Sequence, residues 1–199
     1  MRISCWLVIC FAFFVSYLPA AHSQQTSGRA SNVGVVKGQV GAEQKAGVVL
    51  PAQSATVCVM FASGMASGSF THRYDTDTAG GQYKYKLEKL DASANKQVKT
   101  LAKSGQSDQI AKIYLGSVDA ALAAVSAWAS KHPDRAWQVR TVTPDAEGFW
   151  STDDLPPGSY EIVARGAVRG HDADWEASVD LDSGKTISLP LTRPRFFRP

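Results

Sequence analysis

The clearest indication of the fold is the sequence Thr143-Pro-Asp-Ala-Glu-Gly-Phe-Trp150, followed after three residues by Asp154-Leu-Pro-Pro-Gly-Ser-Tyr-Glu-Ile162. It contains two tight turns, because Gly148 can take a positive φ and Pro156-Pro157-Gly158 fixes a sharp corner. A short run of apolar and aromatic residues follows each turn. Short strands separated by turns of this kind predict an antiparallel β-sandwich.

Similar strand-like runs lie on both sides of this stretch, with β-branched and aromatic residues alternating with polar ones. They are found at Val33–Val40, Ala55–Phe61, Trp137–Thr143, Ser159–Ala164, Trp175–Leu181 and Thr186–Leu191. We interpret His171-Asp-Ala-Asp174 as part of a hairpin turn between two of these strands. The chain is therefore predicted to be mainly β.

The middle of the chain, residues 62–136, has a different pattern. Residues 62–82 are rich in Gly, Ser, Thr and Asp, which is typical of a loop. From Tyr83 to Lys103 apolar residues recur at steps of three and four, which predicts an amphipathic helix. A second helical pattern begins with an N-cap at Ser107-Asp108 and ends at Lys131, before Pro133. The short join predicts a helical hairpin inserted between two strands, with its apolar stripes buried against each other and a sheet face.

The turn-and-strand residues quoted above resemble the carboxypeptidase regulatory-like domain family, a group of prealbumin-like (transthyretin-like) β-sandwiches. The Gly-Lys-Thr strand that ends in Leu-Pro-Leu191 and the opening run Gly34-Val-Val-Lys-Gly-Gln-Val40 share the resemblance, which covers residues 33–61 and 137–192. It implies an antiparallel prealbumin-like sandwich, here interrupted by the helical insertion at 62–136. Such sandwiches serve as adaptors, adhesion modules and spacers as well as enzymes, so the resemblance implies no single activity.

The first 23 residues are typical of a secretory signal peptide. Arg2 precedes an almost unbroken apolar run, and Pro19 ends it. Small residues at Ala21 and Ser23 then predict cleavage before Gln24, with residues 24–32 as a flexible lead-in. The apolar run is shorter than the roughly 18 residues that a spanning helix needs, so we expect no stable membrane span after cleavage. The predicted location is the bacterial periplasm or the exterior, reached by Sec-type export.

Charge and cysteine content limit the remaining classes. Cleavage removes the single charge of Arg2, so the formal net charge falls from +3 to +2 and gives no general reason to expect nucleic-acid binding. Cys58 is the one cysteine left, which excludes an internal disulfide framework. It lies in a strand-like run, where we interpret it as a small buried apolar residue.

No catalytic or metal-binding motif is evident. The predicted mature chain has three histidines, His72, His132 and His171, and no two of them share a metal-ligand spacing. Asp75-Thr-Asp77 before Gly80-Gly81 weakly resembles a calcium loop but lacks the remaining oxygen ligands. Nucleophile-elbow, zinc-protease and phosphate-loop motifs are absent from the sequence. We therefore predict no enzyme activity, no metal and no cofactor.

Two sequence features are candidates for binding a protein or another envelope component. Residues 82–103 carry six lysines against Glu88 and Asp91. A solvated helix face is the simpler explanation, and docking to an acidic partner is the functional one. The candidate partner-binding residues are Lys84, Lys89, Lys96 and Lys103, with Phe70, Tyr74 and Tyr83 as aromatic anchors. The second feature is the basic and aromatic tail, residues 193–199, which is either a loose end or a peptide-like docking segment.

Together these features predict an exported, non-enzymatic binding or structural module of the bacterial envelope. One alternative is an exported enzyme with a site around residues 62–82 and 165–174. That enzyme would require a deep pocket lined by several of His72, Asp75, Asp77, His171 and Asp174. The other alternative is an accessory component of an envelope secretion or assembly complex. The oligomeric state and the identity of the partner stay open at this point.

Overall fold

The structure is a computed structural model, which describes residues 33–44, 47–64 and 75–195. Within those residues it contains short and long strands, two long helices and a 3₁₀ helix at Pro133–Gln138. The strands are β1 (Gly34–Gln39), β2 (Gly41–Glu43), β3 (Val49–Pro51), β4 (Gln53–Ser63), β5 (Val139–Val142), β6 (Phe149–Leu155), β7 (Gly158–Val168), β8 (His171–Leu181) and β9 (Thr186–Ser188). The helices are α1 (Ala79–Lys103) and α2 (Ser107–Lys131).

Two sheets form the sandwich. A four-stranded sheet has the order β5-β4-β7-β8 and is antiparallel throughout, and a three-stranded sheet has the order β6-β1-β9. The helices are inserted between β4 and β5, as the sequence predicted. The mainly β fold with an inserted helical hairpin is thus confirmed.

The expectation of a wholly antiparallel sandwich is corrected at one strand. β1 pairs antiparallel with β6 but parallel with β9, through Val35 opposite Thr186. The chain reaches β9 from the far end of β8 through the turn after Leu181, so β9 enters the other sheet in the same direction as β1. The small hairpin formed by β2 and β3 lies between two of the strand-like runs identified in the sequence and was not predicted.

The two turns predicted within residues 143–162 are both present. Gly148 has a φ of 83°, and a Cβ added there would lie 2.5 Å from the Val40 carbonyl oxygen. At the second corner, Pro156-Pro157-Gly158 leads from β6 into β7. The Tyr160 hydroxyl donates to the Pro156 carbonyl at 2.6 Å, which ties the corner to the strand that follows it. The turn between β7 and β8 is shorter than predicted, because Arg169 and Gly170 alone make it and His171–Asp174 belong to β8.

Alternation along the four-stranded sheet separates two apolar cores. In β4, Val57 and Val59 face the core between the two sheets, whereas Cys58 and Met60 face the helices. The inner core continues through Val36, Trp150, Leu155, Ile162 and Trp175. The outer core joins Met60 and Val163 to the apolar stripes of both helices. The molecule therefore has three layers, with the four-stranded sheet covered on both faces.

Both helices begin differently from their predicted starts. α1 begins at Ala79, four residues before Tyr83, and is capped by Thr78, whose hydroxyl accepts from the Gly81 amide. Gly80 and Gly81 therefore lie in the first helical turn, where the sequence indicated a loop. At α2 the N-cap is Gln106 without a side-chain hydrogen bond, so Ser107-Asp108 lies inside the helix.

The length and composition of α2 would suffice for crossing a membrane. In this fold Val118, Ala121 and Val125 of α2 are buried against α1 and the four-stranded sheet. Its last turn is closed by His132, whose ring nitrogen contacts the Trp128 carbonyl oxygen at 2.8 Å and whose ring stacks on that of Trp128. A contact of this kind is the capping role, which together with a solvated one is what the position of His132 beside Pro133 suggests from the sequence.

Candidate functional site

The outward face of α1 carries a line of lysines. Lys89, Lys96 and Lys103, which we call the lysine stripe, are all exposed and are spaced seven residues apart. Seven residues are almost two turns of an α-helix, so the three side chains lie on one face, about 10 Å apart. Among the described residues, none of the three ammonium groups takes part in an ion pair. The stripe is therefore a surface on which positive charge is not neutralised by the fold.

Lys84 does not belong to this stripe. Its ammonium group forms an ion pair with Glu161 of β7 at 2.9 Å, and both side chains are partly buried. It lies on the side of α1 that meets the sheet, so it fastens the helix to β7. That Lys84 contacts a partner together with the other lysines stays a prediction, but its ion pair sets it apart from the three exposed lysines.

The predicted aromatic anchors also lie elsewhere. Tyr83 is fully buried in the outer core, and its hydroxyl donates to the Glu176 carboxylate. It cannot act as an exposed anchor, and that part of the prediction is corrected. Phe70 and Tyr74 lie outside the described residues. Burial, with the negative charge of Glu176 nearby, raises the pKa of Tyr83 well above its ordinary value, so its hydroxyl stays protonated.

Tyr85 is the exposed aromatic residue that the sequence analysis missed. It is 41% exposed, and the Lys89 ammonium group lies 4.1 Å from the centroid of its ring and contacts its hydroxyl. A lysine over an aromatic face is held by the ring quadrupole, which orders its long side chain. The spacing of four residues between Tyr85 and Lys89 on a helix was a signal that could have indicated this pair.

Beneath α1, a partly buried charge cluster ties the helix, β8 and the C-terminal segment together. The Arg195 guanidinium contacts the Glu176 carboxylate directly and lies 3.7 Å from Asp174 and 3.9 Å from Asp91. Arg165 of β7 makes a two-point contact with Asp119 of α2, at 2.6 and 3.2 Å. The hairpin is thus fixed to the sheet by charged groups as well as by apolar packing.

Asp174 is the most unusual member of the cluster. Its side chain is fully buried, and neither carboxylate oxygen accepts a hydrogen bond from the described residues. Burial raises the pKa of Asp174 to about 6, although Arg195 opposes the shift and Glu176 adds to it. Arg165 also lowers this pKa, and Asp119 raises it further. For Asp91 the pKa is raised by burial too, again against the effect of Arg195.

The residues of the enzyme alternative lie at two separate places. Asp75 and Asp77 form the turn before α1, where the Asp75 carboxylate accepts from the Asp77 amide, beside Ala62 at the end of β4. His171 begins β8 at the opposite end of the sheet, and Asp174 is buried near it. Ser63 at the end of β4 lies opposite Ser159, which pairs with Asp180, so nine residues of β8 separate this end from His171, or about 30 Å at about 3.3 Å per residue. His72 lies outside the described residues.

Metal ligands and the thiol of Cys58 are two further candidates for site chemistry. Over residues 33–44, 47–64 and 75–195, no group of three or more His, Cys, Asp or Glu side chains is arranged to hold a metal ion. Cys58 packs against the outer core, and burial raises the pKa of its thiol to about 11, which keeps it protonated. This fits its interpretation as a small apolar residue.

Comparisons with known proteins give two distant structural similarities. No family model matches the chain, and no curated protein matches it. One similar structure is a Pseudomonas aeruginosa "putative carbohydrate binding protein", with 14% identity, coverage of 83% of this chain and 91% of the other, and a TM-score of 0.36. Another is the pilus backbone protein of Streptococcus pneumoniae, with 13% identity, coverage of 80% of this chain and 40% of the other, and a TM-score of 0.25. Similarity at this level is too distant to indicate a function.

Proposed function

We propose that this chain is an exported, non-enzymatic binding module of the bacterial envelope, and that the lysine stripe docks onto an acidic protein or another acidic envelope component. The observation that carries the proposal is the stripe itself, with Lys89, Lys96 and Lys103 exposed on one face of α1. Positive charges in a fixed row attract an acidic surface and orient it.

The rest of the fold supports this role because it fixes the orientation of α1 and therefore of the lysine stripe. Tyr83, Leu87 and Ala94 bury the opposite side of α1, and the Lys84–Glu161 ion pair fixes its rotation. From Lys89 to Lys103 the helix advances about 21 Å, which sets the length of the matching acidic surface. A preorganised row loses less conformational freedom on binding than lysines on a loose loop would.

Two sequence features support the rest of the proposal. Residues 1–23 have the organisation of a signal peptide, which supports export with cleavage before Gln24. The Gly148 turn and the Tyr160–Pro156 hydrogen bond lie in the residues that resemble the carboxypeptidase regulatory-like family. We propose membership of that family for the sandwich, with the helical hairpin as the part that binds.

A charge-reversal experiment tests the docking surface. The stripe variant changes Lys89, Lys96 and Lys103 to Glu and leaves Lys84 in place. The control variant changes Lys37, Lys131 and Lys185 to Glu, which are exposed lysines elsewhere on the molecule, so both variants have the same net charge. Each protein is immobilised and used to capture partners from an envelope extract at several salt concentrations.

We expect the stripe variant to lose at least ten-fold of the captured partner, with capture by the control within two-fold of the native chain. Capture by the native chain should also fall as salt rises, because exposed charges are screened. Thermal unfolding should be little changed in both variants, since none of these lysines supports packing. Equal loss in both variants would show that only net charge matters, and full capture by the stripe variant would refute the proposal.

A further inference from the structure

An open cleft of about 580 Å³ lies at one end of the sandwich, where three connections meet. They are the link from β3 into β4, the loop between β5 and β6, and the end of β7 with its turn into β8. This volume is in the range of sites that hold small molecules. Connections that a rigid scaffold holds in place are common binding sites. The cleft shares no residue with the lysine stripe, so it is a separate surface of the molecule.

Arg169 lines the cleft from a position where arginine is unusual. Together with Gly170 it forms the two-residue turn between β7 and β8, which the pair Val168–His171 closes. Both turn residues have a positive φ, 51° at Arg169 and 79° at Gly170. A turn of this kind, type I′, favours Asn, Asp or Gly at its first central position, because most other side chains are strained there.

Ser54 lines the same cleft and is strained in the same way. β4 has one extra residue here, since residues 53–56 lie opposite residues 165–167 of β7. Ser54 has a φ of 51°, where glycine is the usual residue of such a bulge. Ser54 and Arg169 are two of the three residues other than glycine that have a positive φ in the described part of the chain, and Asp154 is the third.

Glycine at position 54 or 169 would relieve this backbone strain. The two side chains are therefore present at a cost to stability, and both line one cleft. Strained positions of this kind cluster at ligand-binding sites, where a side chain is needed in spite of its cost. Their common location indicates that the guanidinium and the hydroxyl bind something in the cleft.

The cleft also contains a negative charge that the fold does not neutralise. Asp145 lines it from the loop between β5 and β6, and one oxygen of its carboxylate accepts from the amides of Glu147 at 3.1 Å and Phe149 at 2.8 Å. Within the described ranges, neither Asp145 nor Arg169 forms an ion pair. The two opposite charges are thus too far apart to pair directly, and a ligand that carries both charges can bridge them.

Much of the remaining lining is apolar. Leu50 and Pro144 are half-buried there, and Leu50 packs against the inner core. A ligand that matches the whole cleft therefore carries a negative group, a positive group and an apolar body. An α-amino acid with an apolar side chain combines these three features in one small molecule.

We propose that this cleft binds a free α-amino acid with an apolar side chain. The ligand carboxylate pairs with the Arg169 guanidinium and accepts from the Ser54 hydroxyl, and the ligand ammonium group donates to the Asp145 carboxylate. The apolar side chain packs against Leu50 and Pro144. This site is independent of the docking proposed for the lysine stripe, because it shares no residue with it.

Isothermal titration calorimetry of the native chain with L-leucine and L-phenylalanine gives the first test. We expect saturable binding of both, whereas three analogues that each lack one group should bind at least ten-fold more weakly. They are 4-methylpentanoate without the ammonium group, isopentylamine without the carboxylate, and glycine without the apolar side chain. No saturable binding of either amino acid up to about 10 mM would overturn the proposal. Equal binding of any one analogue would do the same, because the group that it lacks would then not be recognised.

Glycine substitutions then separate binding from folding. Arg169→Gly and Ser54→Gly should keep or raise the melting temperature, because they relieve backbone strain, yet each should lose at least ten-fold of the affinity for L-leucine. Asp154→Gly is the matched control, since it relaxes a positive φ outside the cleft, and it should bind L-leucine like the native chain.

Asp145→Asn tests the ammonium contact by itself. It keeps an oxygen for the two backbone amides and removes the charge, so its melting temperature should be close to that of the native chain. Its affinity for L-leucine should fall at least ten-fold, with no loss of affinity for 4-methylpentanoate. Native affinity for L-leucine in Asp145→Asn or in Arg169→Gly would show that the cleft does not recognise the two charges, and the proposal would be wrong.

Discussion

The Asp174 carboxylate is fully buried, and one of its oxygens lies 3.7 Å from the Arg195 guanidinium. This one group predicts an unusual pH dependence of the free energy of unfolding. Its pKa is raised to about 6 in the folded chain, from 3.8, chiefly by burial. The folded state therefore binds this proton more readily than the unfolded state does between these two values. Its contribution to the free energy of unfolding is greatest at low pH and is lost as the pH rises through about 6.

We expect Asp174→Asn to flatten this dependence. In the native chain, the part of the unfolding free energy that comes from Asp174 should increase between pH 7.5 and pH 5, and the shift at Asp91 acts in the same direction. Urea unfolding of both proteins at the two pH values measures the difference, which should be smaller in the variant. Asp172→Asn is the matched control, because Asp172 is exposed, and it should keep the native dependence. If Asp174→Asn kept the full pH dependence of the unfolding free energy, the assignment of that dependence to Asp174 would be wrong.

For single residues, the sequence analysis was right where a local rule determines the structural role. Gly148, Pro156, Tyr160 and His132 have roles set by their immediate neighbours, and the structure agrees with the sequence analysis for each. The charge cluster could not be predicted, because helix, strand and tail supply its members from positions far apart in sequence. For the same reason Tyr83 was interpreted as exposed, although its aromatic ring lies in the apolar stripe of α1.

At the scale of elements, the first turn of α1 depends on close contact with the chain around it. A Cβ added at Gly81 would lie 1.8 Å from the Asp75 carbonyl oxygen, which is backbone and cannot swing away. The Thr78 hydroxyl caps this turn and also donates to the Ala62 or Asp75 carbonyl, each at 2.8 Å. Gly81 is therefore required for the helix to begin against β4.

Gly81→Ala should destabilise the protein, whereas the same change at Gly116 should stabilise it. We expect a loss of about 1–3 kcal/mol at Gly81, because the helix start must shift to relieve the clash. Gly116 lies in the interior of α2 with no atom within 4 Å of an added Cβ, so alanine there should add about 0.5–1 kcal/mol through helix propensity. Chemical denaturation compares the two variants with the native chain. Equal effects would show that helix propensity alone governs both sites.

The helices and most strands were predictable because their periodicity is a property of the local sequence. The apolar steps of α1 were visible, but Gly80-Gly81 is typical of a loop, so the predicted helix began four residues late. β9 was identified as a strand, yet its parallel pairing with β1 depends on which sheet the chain enters after Leu181. That choice is made by tertiary packing, which alternation along a strand does not encode.

For the whole molecule, the most important difference concerns the insertion. Because the strands of a sandwich can close without an insertion, the sequence alone suggests that the helical hairpin is dispensable for folding. The structure contradicts this, since Met60 and Val163 are fully buried on the outer face of the four-stranded sheet by the helices. Charged groups of the sheet also have partners on the hairpin, as in the Lys84–Glu161 and Arg165–Asp119 pairs. The sequence did not show that the outer face of the four-stranded sheet is apolar, because strands that are buried on both faces do not alternate apolar and polar residues.

Removal of the hairpin provides the strictest test of this three-layer arrangement. Met60 pairs with Val139, so a two-residue Asn-Gly turn in place of residues 62–137 would join β4 to β5 without changing their register. The strands could close, but Met60 and Val163 would become exposed, at about 1.5–3 kcal/mol for each large side chain. We expect this deletion variant to aggregate or to unfold without cooperativity.

The same deletion with Cys58→Ser, Met60→Lys and Val163→Thr should be soluble and unfold cooperatively, because the new surface is then polar. Circular dichroism and size-exclusion chromatography compare the two. A soluble, cooperative protein from the deletion alone would show that the sandwich is independent of its insertion, and failure of both variants would show that the hairpin contributes more than a cover for the apolar face.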